Sequence, residues 1–281
     1  MPETIDTYYP QNELLQQHVA YYYFLSTDGP DYHIHFHVYP QLQVPVTIHR
    51  FAEFAHTGKT AHVRGSTAQR HLTLCNGLLR GPLEASISGL QNRVTVVFQP
   101  LGINHFIEAP YNSLIGRSIQ PFTGWDGQAY DAFLEAFFDG STHREQLKLL
   151  EVFLLCRYRP LPRADVLRQA MALLTDFDDE RSVAQVAAAC AVSERTLSRL
   201  FQSWLSASPV QVRKIARFRR TMALRQAPGQ SSLTDVAHRG SYYDQSHLIG
   251  DYHELTGMRP AYFFKTIRAA ADGQVLMRVL E

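Results

Sequence analysis

SVAQVAAACAVSERTLSRLF, from Ser182 to Phe201, is answered about fifty residues later by LTDVAHRGSYYDQSHLIGDY, from Leu233 to Tyr252, and the two stretches share one plan. Each opens with a short amphipathic helix, carried by Val183, Val186 and Ala187 in the first and by Leu233, Val236 and Ala237 in the second. Each then passes a small-residue turn and enters a second helix. Its apolar positions are Leu197, Leu200 and Phe201 in one copy and Leu248, Ile249 and Tyr252 in the other. A short helix, a tight turn and a second helix with a polar outer face make a helix-turn-helix, whose second helix lies in the major groove of DNA. Two such units on one chain imply a pair of reading helices.

Between them runs SPVQVRKIARFRRTMALRQAPGQ. Pro209 suits a first helical turn, and Pro228-Gly229 end the helix. Ile215, Phe218, Met222 and Leu224 form its apolar stripe, and Arg213, Lys214, Arg217, Arg219, Arg220 and Arg225 cover the remainder. Such a linking helix sets the spacing of the two units and offers cations, Arg213, Lys214 and Arg217 among them, to phosphates.

At 281 residues the chain is long enough for two domains, each with its own core. No apolar run approaches a membrane span, and MPETIDTYYPQNELL lacks the form of a signal peptide. Cys75, Cys156 and Cys190 are scattered, which fits reduced thiols and a cytoplasmic location. The net charge of +1 conceals a division. Residues 1–160 carry 11 Lys and Arg against 14 Asp and Glu, net −3; residues 161–281 carry 16 against 12, net +4. The basic excess falls on the half with the repeat, with the acidic run Asp176, Asp178, Asp179, Glu180 expected to face away from DNA.

The first 120 residues read as strands. HIHFHVYP, QVPVTIHRF, HLTLC, LEASISGL and NRVTVVFQPLG are short, rich in β-branched and aromatic residues, and bounded by Gly, Pro or Asn. They predict a β-sandwich or barrel. From Trp125 to Tyr158 the period becomes helical, with Ser141 and Glu145 marking a helix start. The fold class is therefore α+β. A β-rich domain over 1–158 carries closing helices at 125–158, a proline-containing linker spans 159–165, an all-α domain with two helix-turn-helix units spans 166–268, and a tail covers 269–281.

AAACAVSERTLSRLF, the KIARFRRTMAL run and YYDQSHLIGDYHELTGMRPAYF resemble the AraC-type family of bacterial transcription regulators. VVFQPLGINHFIEAP and LKLLEVFLLCR are similar to the sensory domain of one branch of it. The resemblance implies a regulator that binds DNA through the C-terminal domain and senses an effector or dimerises through the N-terminal one. Its open partners are double-stranded DNA, a small-molecule effector, RNA polymerase and a second copy; it calls for no cofactor and no catalytic residue. Carried onto this chain, the first reading helix is N-capped by Ser193 and offers Arg195, Thr196, Ser198 and Arg199. The second begins near Asp244 and offers Gln245, Ser246 and His247. Arginine reads guanine in a bidentate contact worth ~1–3 kcal/mol of discrimination, and Gln pairs with adenine. The sequence departs from the family at Gly250, where an arginine is usual, and at Ala191 and Ser241, turn positions where glycine is usual. The first unit is thus expected to be the stronger sequence reader.

The alternative reading comes from His33, His35 and His37, which on a strand share one face. Three imidazoles make a plausible metal shell, so a metal-binding sensor or enzyme domain fused to a DNA-binding domain is the competing expectation. The same three histidines with Tyr21 and Tyr23 are the candidates for an effector pocket. No GxSxG, GxGxxG or P-loop pattern occurs.

Overall fold

The computed structural model describes residues 3–57, 60–116, 118–140, 142–226, 233–270 and 275–280. Strands β1 (Glu3–Tyr8), β2 (Val19–Thr27), β3 (His33–Val38), β4 (Val44–Arg50), β5 (Ala52–Thr57), β6 (Thr60–Gly65), β7 (His71–Asn76), β8 (Leu83–Ser88), β9 (Asn92–Phe98) and β10 (Ile119–Pro121) build the N-terminal domain. The two short strands β11 (Arg268–Ala270) and β12 (Val275–Val279) join it from the other end of the chain. They form two six-stranded sheets, ordered β1-β2-β9-β4-β7-β10 and β11-β12-β3-β8-β6-β5. Pairing is antiparallel except between β6 and β8. The five strands predicted from sequence are all present, and the chain is α+β, as expected.

Strand alternation divides the first sheet into two faces. Tyr22, Phe24, Val46, Ile48, Val94 and Val96 turn outward onto the closing helices α3 (Gln128–Asp139) and α4 (His143–Arg157), with the one-turn helices α1 (Glu13–Gln16) and α2 (Tyr111–Leu114) at the edges. Trp125 anchors this layer, donating from Nε1 to the Phe106 carbonyl at 2.9 Å. The cap of α4 is Thr142, whose hydroxyl accepts from the Glu145 amide while the Glu145 carboxylate answers the Thr142 amide. The capping box thus starts one residue beyond the predicted Ser141, because Glu145 must sit at the third helical position to reach back. Ser141 itself, like Pro228-Gly229, lies outside the described residues.

The C-terminal helices are α5 (Ala164–Thr175), α6 (Val183–Ala189), α7 (Glu194–Leu205), α8 (Pro209–Gln226), α9 (Leu233–Arg239), α10 (Gln245–Thr256) and α11 (Pro260–Thr266). Their core gathers Leu167, Leu174, Val186, Leu197, Phe201, Ile215, Phe218, Leu248, Tyr252 and Phe263. Tyr39, Leu78 and Leu101 of the N-terminal domain belong to the same apolar cluster. Each domain thus closes a core of its own, and the C-terminal core extends across the seam to these three residues. Within the expected tail, Val275–Val279 form β12, which pairs with β3 and extends the second sheet. Among the described residues no helix is long and apolar enough to cross a membrane.

Candidate nucleic-acid interface

Both units fold as the repeat requires. α6 begins at Ser182 with a capping box to Gln185, and α7 begins at Ser193, whose hydroxyl accepts from the Thr196 amide at 3.1 Å. α10 begins at Asp244, which accepts from the His247 amide at 2.7 Å. The two turns contain the left-handed residues anticipated from the missing glycines, Ala191 at φ +53° and Ser241 at φ +58°. Gly240 is needed in the second turn because an added Cβ would lie 2.4 Å from Thr221 Cγ2 and 2.7 Å from the Val236 carbonyl oxygen.

The two left-handed residues are not equivalent. Ala191 is exposed, and its methyl group gains nothing in return for a conformation that costs a non-glycine residue about 1–2 kcal/mol. Glycine there gives back about 0.4–1 kcal/mol through the greater freedom of the unfolded chain. Ala191→Gly is expected to stabilise the protein by about 0.5–1 kcal/mol. Ser241 donates its hydroxyl to the Phe177 carbonyl at 3.0 Å, a bond worth about 1 kcal/mol, so Ser241→Gly should bring no gain. Urea unfolding of the two variants decides the matter; equal gains would contradict this account.

The outer faces of the reading helices largely match expectation. On α7, Leu197, Leu200, Phe201 and Leu205 are buried, and Arg195, Ser198 and Arg199 are exposed. Exposed Ser193 and half-buried Thr196 meet at the cap, where the Ser193 hydroxyl lies 3.0 Å from the Thr196 hydroxyl. On α10, Gln245 and Ser246 are exposed at the start of the helix. His247 is exposed as well, its ring edge-on to Tyr242 at 5.1 Å and its Nε2 3.8 Å from the Asp251 carboxylate. Ile249, expected on the inner face, is 37% exposed; Leu248, Tyr252 and Leu255 make that face. Gly250 has open space around it, so the outer face of α10 lacks any side chain there. Tyr243 was not singled out from sequence, yet it is 94% exposed immediately before the α10 cap. The doubled tyrosine at 242–243 was the available signal: one ring enters the core and the next must point out.

The linking helix departs from expectation. Arg213, Lys214 and Arg217, predicted to meet phosphates, are tied within the protein. Arg217 places Nη2 2.5 Å from Glu180 Oε1 and spreads its guanidinium over the Phe177 and Tyr242 rings at 5.5 and 5.4 Å. Arg213 donates to the Leu174 and Arg181 carbonyls and lies 3.7 Å from Glu180. Lys214 sits 2.7 Å from Glu254 and 3.4 Å from Asp251. Burial opposes the charge on Lys214, but these two carboxylates outweigh it and hold the ammonium above its ordinary range. The physical reason lies in the acidic run, which closes onto α8: Asp178 pairs with Arg220 at 3.2 Å while Glu180 takes Arg213 and Arg217. The cations of α8 neutralise that loop.

In the N-terminal domain His33, His35 and His37 do share a face, but it is the outer one. His35 Nε2 approaches Glu84 at 2.6 Å, and burial lowers the His37 pKa. Among the described residues no group of three His, Cys, Asp or Glu side chains is placed to hold a metal ion. The opposite face of β3 looks into a cavity of about 130 Å³ between the sheets. Ile34, Phe36 and Val38 line it in place of the predicted histidines, since strand alternation puts the two sets on opposite sides. Tyr21 and Tyr23 do line it, with His49 and Arg93 among the polar groups. His49 and Arg93 are cross-strand partners, and burial together with the Arg93 charge keeps the His49 pKa well below its ordinary value.

Residues 186–266 match the model of the helix-turn-helix domain family. Among characterised proteins compared by sequence, none matches the chain. Solved structures give distant likenesses. ToxT from Vibrio cholerae superposes with a TM-score of 0.46 at 8% identity, over 94% of this chain and 98% of its own. A probable AraC family transcriptional regulator from Rhodopseudomonas palustris gives 0.32 at 19% identity, over 36% of this chain and 96% of its own. The DNA-binding domain of AdpA, in complex with a target DNA, gives 0.32 at 25% identity, over 38% and 92%. Residues 186–266 are a helix-turn-helix domain, and by that domain the chain has the DNA-binding architecture of a transcription regulator.

Proposed function

We propose that the chain is an effector-responsive regulator, divided into a sensory domain at 1–158 and a DNA-binding domain at 166–268, in which α7 and α10 enter adjacent major-groove segments about one turn, ~34 Å, apart. The observation that carries the DNA half is the repeated unit itself, with Arg195 and Arg199 exposed on one reading helix and Gln245 and Ser246 exposed in the first turn of the other. Selection of bound sequences from a random duplex library with the full-length protein is the test. Two short conserved blocks one turn apart are expected; recovery of no enriched sequence would overturn the reading.

The effector half rests on the cavity. A tightly filled interior would suit a domain that only dimerises, whereas this one is hollow, apolar-walled and supplied with polar atoms that lack partners. Tyr39 Oη, both ring nitrogens of His49 and Arg93 Nε are buried without a hydrogen bond. Buried polar groups are ordinarily satisfied, so a site of this kind invites a ligand that satisfies them. Apolar walls with one guanidinium favour a small amphipathic acid, its carboxylate on Arg93 and its chain among the aromatics. Thermal unfolding with decanoate, decanol and decylammonium tests this. Decanoate alone should raise Tm, and Arg93→Leu should remove the rise; no shift with any of the three would refute the cavity reading.

A further inference from the structure

The wall of the cavity is completed by a strand from the far end of the chain. β12 lies antiparallel to β3, with Met277 opposite Val38, Arg278 opposite His37 and Val279 opposite Phe36. The Leu280 amide donates to the His35 carbonyl at 2.7 Å. Because alternate residues face opposite ways, β12 has two working sides. On the inner side Met277 stands with Phe36 and Val38 in the cavity wall. On the outer side Arg278 holds its guanidinium 5.6 Å from the Tyr262 ring centre, with Nη2 3.5 Å from Tyr262 Oη and Nη1 3.8 Å from Met258 Sδ. Met258 and Tyr262 belong to the segment that closes the second helix-turn-helix unit.

The end of β3 makes a second contact with that segment. Tyr39 meets Phe263 of α11 edge-on at 4.9 Å, and Phe263 packs against Tyr252 of the reading helix α10 at 5.6 Å. One unbroken set of contacts therefore runs from the cavity wall through the β3–β12 pair and α11 to α10. The N-terminal domain reaches α7 by another route, through α2 and through Asn104, which donates to the Trp204 carbonyl at 2.9 Å; neither Asn104 nor α2 lines the cavity.

We propose that β12 is a coupling strap, docked on β3 when the cavity is empty, and that a ligand displacing Met277 releases it and unseats α11, changing the placement of the second reading helix. The input rests on the cavity reading made above; the mechanical connection between β12 and α11 does not. Two arrangements of one element, biased by a ligand that fits only one of them, are what coupling requires. β12 and its partner β11 form a short hairpin at the edge of the second sheet, and such a margin belongs to the less stable part of a fold.

Amide hydrogen exchange on the full-length protein provides the test, with Arg278→Ala, Arg278→Lys, Met277→Ala and a chain ending at Ala270. Without ligand, the shortened chain should exchange faster in both β3 and α11, by about tenfold or more. Arg278→Ala should leave β3 protected and accelerate α11 alone, and Arg278→Lys should restore part of that protection. Unchanged exchange in α11 for both the shortened chain and Arg278→Ala would overturn the proposal. Decanoate added to the wild-type protein should accelerate β12 and α11 together and change affinity for the selected duplex about 5- to 10-fold, within the ordinary range of coupling between sites. Met277→Ala, which leaves room for the ligand, should bind decanoate without that response. A wild-type protein that binds decanoate in the cavity with β12 and α11 unaffected would also overturn it. Failure of decanoate to bind counts against the cavity reading instead, and the ligand-free arm then judges the strap by itself.

Discussion

Arg217→Ala is expected to destabilise the C-terminal domain by about 2–3 kcal/mol while leaving the salt dependence of DNA binding essentially unchanged. Arg217 is 7% exposed. It joins the acidic loop to α8 through Glu180 and lies between two aromatic rings. Removing one partner of a buried pair costs about 3–5 kcal/mol, because the other charge is left without compensation. Glu180 is 40% exposed and keeps Arg213 nearby, so the lower part of that range, or somewhat less, applies. The lost packing of the aliphatic stem adds to it. Arg217→Met keeps that packing and should cost less than the alanine. A phosphate-contacting cation behaves otherwise: its loss lowers the slope of log K against log salt by about 1 and leaves stability nearly untouched. Urea unfolding and a salt titration of duplex binding, run on the same variant, separate the two. A stable Arg217→Ala protein with a reduced slope would restore the phosphate role.

The second large effect is expected on α7. Arg195→Ala combined with Arg199→Ala should weaken binding to the selected duplex by about 2–6 kcal/mol, since each bidentate contact to guanine is worth ~1–3 kcal/mol. Folding should be unaffected, because both side chains are exposed and the buried face of the helix is untouched. Preference should vanish from one block of the site and persist in the other. Ser246→Ala on α10 is the internal comparison. The second reading helix presents open space at Gly250, where the first carries Arg199, so Ser246→Ala should lower affinity with little change in base preference. Equal relaxation by Arg199→Ala and Ser246→Ala would contradict the ranking of the two units.

How much of this was legible beforehand depended on the range of the interactions concerned. The helix starts at Ser182, Ser193 and Asp244 are local chemistry, an oxygen facing an amide two or three residues on, and could be read directly from the chain. The burial of Leu197, Leu200 and Phe201 follows from helical period. The strained turns at Ala191 and Ser241 were visible as departures from glycine. The intramolecular pairing of Arg213, Lys214 and Arg217 is not legible in the sequence, because a cation's role depends on its neighbours in space. Their partners Glu180, Asp251 and Glu254 lie between 33 and 40 residues away along the chain. The histidine strand was right in its alternation and wrong in its direction, since a period of two does not say which face meets the opposing sheet.

By itself the sequence determined the class of the protein: two helix-turn-helix units, a β-rich partner domain, and the faces of the reading helices that stay dry. These are consequences of periodicity and capping, which act over one or two turns. Tertiary structure alone decided which cations remain available to DNA, that the interior of the sandwich is hollow around His49 and Arg93, and that the last strand returns to the first domain beside β3. Each of these depends on which distant surfaces meet when the layers close, and no local pattern along the chain encodes that meeting.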